Sequence, residues 1–481
     1  MLNKIDMSRD VKKKELNQIM ESLGERLGAA QRKVREQKRP VIIVFEGWRG
    51  SCRDLIINTM MQYMDARGFK VLSAAMKGDE YRGQPFFTYF WRELPAKGNM
   101  DVFYRSWYYS KMVADCIKRE NTVSFAAVNN FEKLLTDDGY LILKYFLHLS
   151  EEKQKKNLAK KEKQFGKNWD IAELALDDSK DYEGYYKYYQ KMLTATDTAN
   201  APWHIVSAED HQNARLEIYT SIVESIEKGI ADKVVEVTEA PIDYKVLDNI
   251  DLQQTVSKDE YKEKLEKYQK KLTSLQLEMF SRKIPAIIGF EGWDAAGKGG
   301  AIRRLTAALN PLGYLVRPVA APNSVEREYN YQWRFWKAMP KPGHITIFDR
   351  TWYGRVMVER VEGFALPEEW QRAYEEIREM ERQWTDAGAV LVKFWLQIDR
   401  QEQLRRFEER QNNPVKQWKI TDEDWRNREK WDVYERAVNE MLVRTSTEYA
   451  PWTVVEGNNK YYARLKVLQT VIDLFEKRLN K

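Results

Sequence analysis

The chain has 481 residues, of which 43% are hydrophobic and 32% are charged, a composition typical of a folded protein with a charged surface. The 79 Lys and Arg residues exceed the 73 Asp and Glu residues by six, too few to indicate nucleic-acid binding by themselves. The two cysteines allow one disulfide at most, and the four histidines lack the spacing of zinc ligands. A charged N-terminus without an apolar segment of ~20 residues predicts a cytoplasmic protein with no membrane partner.

Long amphipathic helices are predicted at residues 16–34 and 261–279, where apolar residues recur every three or four positions. A short apolar strand bounded by proline follows each helix, at residues 41–45 and 286–290. Such uniformly apolar strands are typical of parallel sheets that are buried on both faces. Each long helix packs either on its own domain or on the other helix across a pseudo-twofold axis, and the sequence leaves both arrangements open.

The two halves of the chain repeat one another. Phe-Glu-Gly-Trp occurs at residues 45–48 and again at 290–293, an offset of 245 residues. Further along, Ala-Pro-Trp at 201–203 matches the same tripeptide at 450–452, where the offset has become 249 residues. The second half therefore contains a net insertion of four residues after Met357. A register kept over this distance predicts a tandem duplication.

Strands and helices alternate in both halves, which predicts an α/β fold of two three-layer α/β/α domains with mainly parallel sheets. Pro and Asp residues interrupt the pattern at 237–253, so we expect the domains to be 1–245 and 246–481. Further strands are predicted at residues 70–75, 315–320, 344–348, 389–398 and 452–456, and helices at 367–386 and 425–449.

A phosphate-binding loop is predicted directly after the strand at 286–290. Residues 292–299 read Gly-Trp-Asp-Ala-Ala-Gly-Lys-Gly, the G-x-x-x-x-G-K motif between a buried strand and a helix. Glycines let backbone N–H groups surround an anion, while the helix dipole and Lys298 add positive charge. The other loop residues expected to contact phosphate are Gly292, Ala295, Ala296, Gly297, Gly299 and Gly300.

The loop lacks the hydroxyl residue that usually follows the lysine and binds Mg²⁺, because Gly299 stands at that position. Asp294 and Asp349, at the end of the strand 344–348, are the candidates to replace it, since Mg²⁺ prefers oxygen ligands. Local structural roles are the alternative, with Asp294 hydrogen bonding its own turn and Asp349 capping the next segment.

A basic segment at about residues 400–430 is predicted to be a lid, because such segments exclude water while phosphate is transferred. Arg406 and Arg410 are four residues apart and therefore share one face of a helix. Ordinary surface charge is the alternative. The basic residues of this segment that we assign to the lid are Arg405, Arg406, Arg410, Lys416 and Lys419.

Three motifs of the second half resemble the polyphosphate kinase 2 family. They read Phe-Glu-Gly-Trp-Asp-Ala-Ala-Gly-Lys-Gly-Gly at 290–300, Phe-Asp-Arg-Thr-Trp-Tyr-Gly-Arg at 348–355, and Pro-Val-Lys-Gln-Trp-Lys-Ile-Thr-Asp at 414–422. With its weaker first copy, the chain looks like the fused two-domain class II members, the polyphosphate:AMP phosphotransferases. The resemblance implies a thymidylate-kinase-like P-loop fold with a helical lid. It also implies Mg²⁺-dependent transfer of the terminal phosphoryl group of polyphosphate to AMP, giving ADP.

The resemblance also implies roles for individual residues. Asp294 and Asp349 would hold Mg²⁺, or Mn²⁺ in its place, and Lys298 would bind the transferring phosphate. The arginines expected to neutralise phosphates are Arg350, Arg355, Arg406 and Arg410. Apart from the resemblance, we expect Arg303 and Arg304 on the helix after the loop to begin a track of cations for polyphosphate. Alternatives left open are a nucleoside diphosphate acceptor, the reverse reaction, and an ATP-dependent P-loop nucleotide kinase. A homodimer is compatible with the resemblance.

The first half has lost the residues of this chemistry. Arg49 replaces Asp294, Cys52 replaces Gly297, Arg53 replaces Lys298 and Tyr104 replaces Asp349. A Cβ at residue 52 obstructs the close approach that glycine permits, and the metal loses both carboxylates. We therefore predict an inactive first copy. It either orients the active copy or docks an anion on the lysine run at 153–163.

Overall fold

The computed structural model describes residues 1–2, 13–76, 81–117, 123–166, 176–229, 244–415 and 417–480. The chain forms two compact units. The first consists of Met1–Arg82, Tyr89–Lys233 and Ser324–Asn330, and the second of Gly83–Thr88, Val234–Asn323 and Tyr331–Lys481. Within the described ranges, no helix has the length and apolar character needed to span a membrane.

The first half of the chain alternates helices and strands. In chain order these are α1 (Lys13–Glu36), β1 (Val41–Gly47), α2 (Arg53–Met61), β2 (Phe69–Ser73), α3 (Thr88–Arg92), β3 (Met100–Arg105), α4 (Trp107–Cys116), α5 (Phe125–Asp137), β4 (Leu141–His148), α6 (Glu151–Phe165), α7 (Tyr182–Thr196), β5 (Trp203–Ser207) and α8 (His211–Lys228). The five strands form one sheet in the order β2-β3-β1-β4-β5, in which all neighbours are parallel. Every residue of β1 is buried, as expected for a strand that is covered on both faces.

The second half of the chain follows the same order. Its elements are α9 (Lys258–Ser281), β6 (Ala286–Gly292), α10 (Lys298–Thr306), β7 (Tyr314–Pro318), α11 (Trp333–Lys337), β8 (Ile345–Asp349), α12 (Val358–Val361), α13 (Pro367–Asp386), β9 (Val390–Gln397), α14 (Arg400–Gln411), α15 (Asp422–Glu429), α16 (Trp431–Thr445), β10 (Trp452–Glu456) and α17 (Lys460–Leu479). The parallel sheet has the order β10-β9-β6-β8-β7, which is the topology of the first sheet.

The register of the two sheets confirms the duplication. Val41 of β1 pairs with Met100 of β3, and Ala286 of β6 pairs with Ile345 of β8, so both partners keep the offset of 245 residues. On the other side, Val41 pairs with Leu141, while Ala286 pairs with Val390, where the partners differ by 249 residues. The two halves therefore have the same α/β fold with parallel sheets, as the sequence predicts.

Each long opening helix packs on the last helix of its own unit. In the first unit Arg26 of α1 forms an ion pair of 2.7 Å with Glu227 of α8. In the second unit the rings of Tyr261 and Tyr461 stack 4.6 Å apart between α9 and α17. These contacts match the arrangement in which each helix covers its own domain.

One predicted helix is wrong. The segment 425–449 is divided at Lys430, between the end of α15 and the start of α16. At the start of α16, the indole of Trp431 stacks on that of Trp293 with centroids 3.7 Å apart, a contact that fixes the position of this helix end. Strands β3, β4 and β5 were not predicted, although by the offsets of the repeat they are the counterparts of β8, β9 and β10.

Candidate phosphate-binding site

The segment 292–299 joins the end of β6 to the start of α10. Strand β6 lies in the middle of its sheet, between β8 and β9. In open parallel sheets the crevice outside the carboxyl ends of the strands, where the strand order reverses, is the usual ligand position. The fold therefore brings this loop and the end of β8, with Asp349, to the same edge.

The carbonyl groups of the loop are held by helix α14. Nη1 of Arg406 donates to the carbonyl oxygens of Ala295 and Ala296 at 2.9 and 3.0 Å. Nε2 of Gln403 donates to the carbonyl oxygen of Asp294 at 3.2 Å. Within the described residues, the loop N–H groups without a protein acceptor are those of Asp294, Ala295, Gly297, Lys298 and Gly299. A loop whose carbonyls are engaged and whose N–H groups are open is suited to bind an anion.

Lys298 lies under the loop. Its Nζ donates to the carbonyl oxygens of Gly292 at 2.7 Å and Trp293 at 3.2 Å. Burial lowers the pKa of Lys298, while the carboxylates of Asp294 and Asp349 act in the opposite direction. Both carboxylates therefore act on the same ammonium group. A phosphate bound here would further favour the charged form of the lysine.

Asp294 makes its contacts outside its own turn. Its Oδ1 lies 3.3 Å from Nη2 of Arg350, and its Oδ2 accepts a hydrogen bond of 3.0 Å from Nδ2 of Asn427. Nor does Asp349 cap the following segment, because the Thr351 side chain accepts the capping hydrogen bond from the N–H of Tyr353. The two local structural alternatives for these aspartates therefore lack support.

Arg350 is held in a strained conformation beside Asp294. Its φ is +62°, which is unfavourable for a residue with a Cβ. The next residue is fixed by Glu291, whose Oε1 accepts from the N–H of Thr351 at 2.6 Å and from its Oγ1 at 2.7 Å. Burial acts to lower the pKa of Arg350, but Asp294 and Glu291 outweigh it and raise the pKa. The guanidinium therefore stays charged at the mouth of the site.

The two carboxylates fit a hard cation such as Mg²⁺ by their chemistry. Among the described residues, no group of three or more His, Cys, Asp or Glu side chains could hold a metal ion. Asp294 and Asp349 would therefore need phosphate and water oxygens to complete a shell of six. This is the usual arrangement for Mg²⁺ in phosphoryl-transfer sites.

An apolar cleft opens beside Asp294 and Arg350. Its walls include Trp293, Met357 and Tyr434. Because charged groups lie at one end and aromatic and aliphatic groups along the walls, the cleft can accommodate a molecule with an anionic and a flat apolar part.

A basic cleft also touches the loop, at Gly297 and Gly300. It is lined by Arg410, Lys460 and Arg464. In the part of the chain that the structure describes, the Arg464 guanidinium makes no hydrogen bond or ion pair. Burial lowers the pKa of Lys460, and Arg406 acts in the same direction. This cleft is suited to further phosphate groups.

The remaining predicted cations lie in different surroundings. Arg406 is only 3% exposed and also donates to the carbonyl oxygens of Gly457 and Asn458, so it holds the loop from behind. Arg355 forms an ion pair of 2.8 Å with Glu359. Arg405 is paired with Glu402, Arg303 is exposed and Arg304 is half-buried. Lys416 and the side chain of Lys419 lie outside the described residues.

Three contacts of the site were missed from the sequence, those of Glu291, Gln403 and Asn427. Glu291 follows Phe290 in a repeated tetrapeptide, so the repeat carried a signal for it. Gln403 and Asn427 reach the loop across more than 100 residues and carry no motif. By contrast, Trp352 and Tyr353 lie near the site in sequence but are 1% and 0% exposed, so they belong to the core.

The corresponding loop of the first unit keeps its backbone shape. Gly47, Gly50 and Cys52 have φ values of +130°, +81° and +58°, and the equivalent residues of the second unit also have positive φ. The Arg53 guanidinium donates to the carbonyl oxygen of Gly47 at 2.8 Å and lies over the ring of Tyr104. Two arginines and a tyrosine thus occupy the positions of Lys298 and the two aspartates.

The effect of Cys52 is more local than expected. A Cβ at Gly297, its counterpart, would approach no protein atom more closely than Nη1 of Arg406, at 3.9 Å. A side chain is therefore accommodated by the protein itself. Any interference by the Cys52 side chain would concern an anion above the loop.

The family model described as polyphosphate kinase 2 matches this chain twice, over residues 8–233 and 255–481. The polyphosphate:AMP phosphotransferase of Pseudomonas aeruginosa is 39% identical over 494 aligned residues, which cover 100% of both chains. The enzyme of that name from Pseudomonas syringae pv. tomato is 40% identical, covering 95% of this chain and 94% of the relative.

The fold is also similar to that of a solved structure. A crystal structure described as polyphosphate kinase 2 from Pseudomonas aeruginosa superimposes with a TM-score of 0.88 and 37% identity. The superposition covers 100% of this chain and 99% of that one. A shorter relative, NDP-polyphosphate phosphotransferase 3 of Ruegeria pomeroyi, is 38% identical over 44% of this chain and 71% of its own.

Proposed function

The chain belongs to the polyphosphate kinase 2 family, and on this basis we propose that it transfers the terminal phosphoryl group of inorganic polyphosphate to AMP, forming ADP. The relatives that match over nearly the whole chain carry the name polyphosphate:AMP phosphotransferase. The observation that carries the proposal is the loop after β6, with five open N–H groups, Lys298 and two facing aspartates.

Binding of the donor is assigned to the loop. Its N–H groups and Lys298 surround the terminal phosphate, while Arg406 keeps the carbonyl oxygens turned away from it. Phosphoryl transfer requires alignment and neutralisation of charge more than covalent help. The loop supplies both, because its donors are fixed before the substrate arrives. The next phosphates of the chain are assigned to the basic cleft with Arg410, Lys460 and Arg464.

Mg²⁺ is the cofactor that we propose, held by Asp294 and Asp349. When bound, it would neutralise charge on the phosphate oxygens of donor and acceptor. Arg350 contributes a further positive charge at the same end of the site, next to Asp294. Its position is fixed by the hydrogen bonds that Glu291 accepts from Thr351.

The acceptor is assigned to the apolar cleft. The phosphate of AMP is already anionic at neutral pH, so the reaction needs no strong general base. In the cleft that phosphate would lie near Arg350, and the base along Trp293, Met357 and Tyr434. A nucleoside diphosphate is the second candidate acceptor, because shorter relatives carry the names NDP- and GDP-polyphosphate phosphotransferase.

We also propose that the domains 1–245 and 246–481 have different roles, with catalysis in the second. In the first, the N–H of Arg49 already donates to Oδ2 of Asp178 at 3.0 Å, so an internal carboxylate engages the loop. Arg53 and Tyr104 replace groups that the chemistry requires. The first domain would therefore not catalyse transfer.

The test is turnover of AMP with polyphosphate and Mg²⁺, with the wild type measured beside Asp349→Asn. We expect ADP from the wild type and a loss of kcat of at least ~10²-fold in the variant, because a group that stabilises the charge of the transition state is removed. ATP in place of polyphosphate is the control for the donor. Faster turnover with ATP would refute polyphosphate as the donor. An unchanged kcat in the variant would refute the role proposed for Asp349.

A further inference from the structure

Helix α6 of the first unit carries four lysines on one face, which we call the lysine stripe. They are Lys153, Lys156, Lys160 and Lys163. Their spacings of three, four and three residues keep them on one side of an α-helix, over a length of ~15 Å. Within the described ranges, none of the four ammonium groups makes an ion pair or hydrogen bond. Two neighbouring lysines differ, since Lys155 is paired with Glu151 at 2.6 Å and Lys161 with Asp54 at 3.0 Å.

Side chains outside the lysine stripe anchor α6 beside the loop of the first unit. Gln154 is completely buried and donates to Oδ1 of Asp178 at 2.8 Å. Asn157 donates to the carbonyl oxygen of Gly50 at 2.9 Å. Because these contacts fix the orientation of the helix, the stripe is held at a defined position next to the loop. Lys156 of the lysine stripe, in contrast to Gln154, is exposed to solvent.

The equivalent helix of the second unit has no such stripe. At the offset of 249 residues the four lysines correspond to Glu402, Arg405, Glu409 and Asn412 of the second half. Arg405 is paired with Glu402 at 2.7 Å, and Glu409 lies 3.6 Å from its other terminal nitrogen. The fold therefore does not require positive charge at these positions. Like charges three and four residues apart also destabilise a helix, so the stripe carries a penalty in the free chain.

We propose that the lysine stripe binds a segment of polyphosphate, so that the first unit is a binding module for the substrate that it does not convert. This inference rests on the proposed function, because the proposed function identifies polyphosphate as the substrate. A row of cations binds a linear polyanion by displacing the counterions condensed on it. Single-stranded nucleic acid fits less well, because no aromatic side chain for stacking stands between the four lysines.

The test removes the stripe by K153Q, K156Q, K160Q and K163Q together. Glutamine is a good helix former, so α6 should persist, which circular dichroism and thermal unfolding will check. A matched control, K262Q, K264Q, K270Q and K271Q on α9, removes the same charge from four lysines that are each paired with an acidic residue. If the fourfold variant does not fold, K156Q with K160Q replaces it.

Binding of long-chain polyphosphate is measured at several salt concentrations in a background that carries Lys298→Ala, which weakens the catalytic loop. We expect the stripe variant to bind at least ~10-fold more weakly, with a slope of log K against log salt reduced by ~0.7 for each lysine, by analogy with single strands. The control should bind as the background does. With Lys298 intact, kcat on short polyphosphate should be unchanged in the stripe variant.

Equal binding by the stripe variant and the control would overturn the inference. So would displacement of long-chain polyphosphate from the stripe by single-stranded RNA at equal phosphate concentration, which would favour a nucleic-acid site. A wild type that binds polyphosphate but does not phosphorylate AMP would refute the proposed function, and the binding comparison would still decide the role of the stripe.

Discussion

The loops at 47–54 and 292–299 have the same backbone shape and different side chains. Positive φ values recur at the three equivalent positions in both loops. In each, a side chain from a helix distant in sequence donates to a loop carbonyl, Asn157 of α6 to Gly50 and Arg406 of α14 to Ala295. What differs is the charge around the two loops. Arg53, Arg49 and Tyr104 of the first unit correspond in sequence to Lys298, Asp294 and Asp349 of the second. Side chains of a duplicated loop can therefore be replaced while its backbone shape is kept.

Each unit also contains the same buried ion pair between a lysine and a glutamate. Lys393 forms a buried ion pair of 2.8 Å with Glu381 and donates to the hydroxyl of Tyr353. In the first unit Lys144 has the same contacts with Glu132 and Tyr108, and the ion pair measures 2.7 Å. Since the pair occurs in both units although the side chains of their loops differ, we expect its role to lie in the fold rather than in catalysis.

The largest effect is expected from removing one partner of these buried pairs. Glu132→Gln and Glu381→Gln each leave a buried ammonium group without its counter-charge, which costs about 3–5 kcal/mol in the stability of the unit concerned. Denaturant unfolding measures the change. Glu151→Gln, in an exposed pair, is the control and should cost less than about 1 kcal/mol. A small effect in one unit only would show that the two cores are not equivalent.

A pH-dependent difference of up to about 3 kcal/mol is expected at His148, whose counterpart is Gln397. Both accept a hydrogen bond of 2.9 Å from the indole of an equivalent tryptophan. Burial lowers the pKa of His148 to about 4, with Glu209 acting in the opposite direction. Since its unfolded pKa is 6.5, the unfolded chain binds the proton first as the pH falls.

The stabilising contribution of neutral His148 is thus present above pH 6.5 and lost between pH 6.5 and 4. His148→Gln should remove this loss, so the free energies of unfolding of variant and wild type should diverge over that range. Stability measurements at pH 7 and pH 4.5 test this. Parallel curves would mean that His148 has the same pKa in the folded and the unfolded protein.

The smallest effect is expected at Cys52, which has a φ of +58° where the second unit has glycine. Cys52→Gly relieves the unfavourable conformation but increases the entropy of the unfolded chain, so the net gain is up to about 1 kcal/mol. Thermal unfolding measures the gain. The change should not create activity in the first unit, because Arg49 and Tyr104 still stand in place of Asp294 and Asp349. A Lys298→Ala background that regained turnover would contradict this.

Much of the fold could be predicted because the two halves of the sequence repeat one another. The offsets of 245 and 249 residues reappear in the strand registers, and the motif after β6 placed the loop correctly between strand and helix. The break at Lys430 could not be predicted, because the pattern of α15 and α16 is continuous in sequence. It lies directly before Trp431, whose indole packs against that of Trp293, more than 100 residues away.

The orientation of single cations was also beyond the sequence. Arg405 and Arg406 are adjacent and chemically identical, yet one is exposed and the other is buried behind the loop. Periodicity assigns residues to faces of a helix but does not say which polar face meets a backbone carbonyl. Long-range contacts such as that of Asn427 with Asp294 follow from the packed structure alone.

The central claim is that one loop works and its copy does not, and the paired variants Lys298→Ala and Arg53→Ala test it most directly. The measurement is kcat for AMP phosphorylation by polyphosphate, on protein shown to be folded. We expect Lys298→Ala to lower kcat by about 10²–10³-fold, since a donor to the transferring phosphate is lost. Arg53→Ala should leave kcat at the wild-type value. Equal losses in the two variants, or a loss in Arg53→Ala alone, would contradict the account.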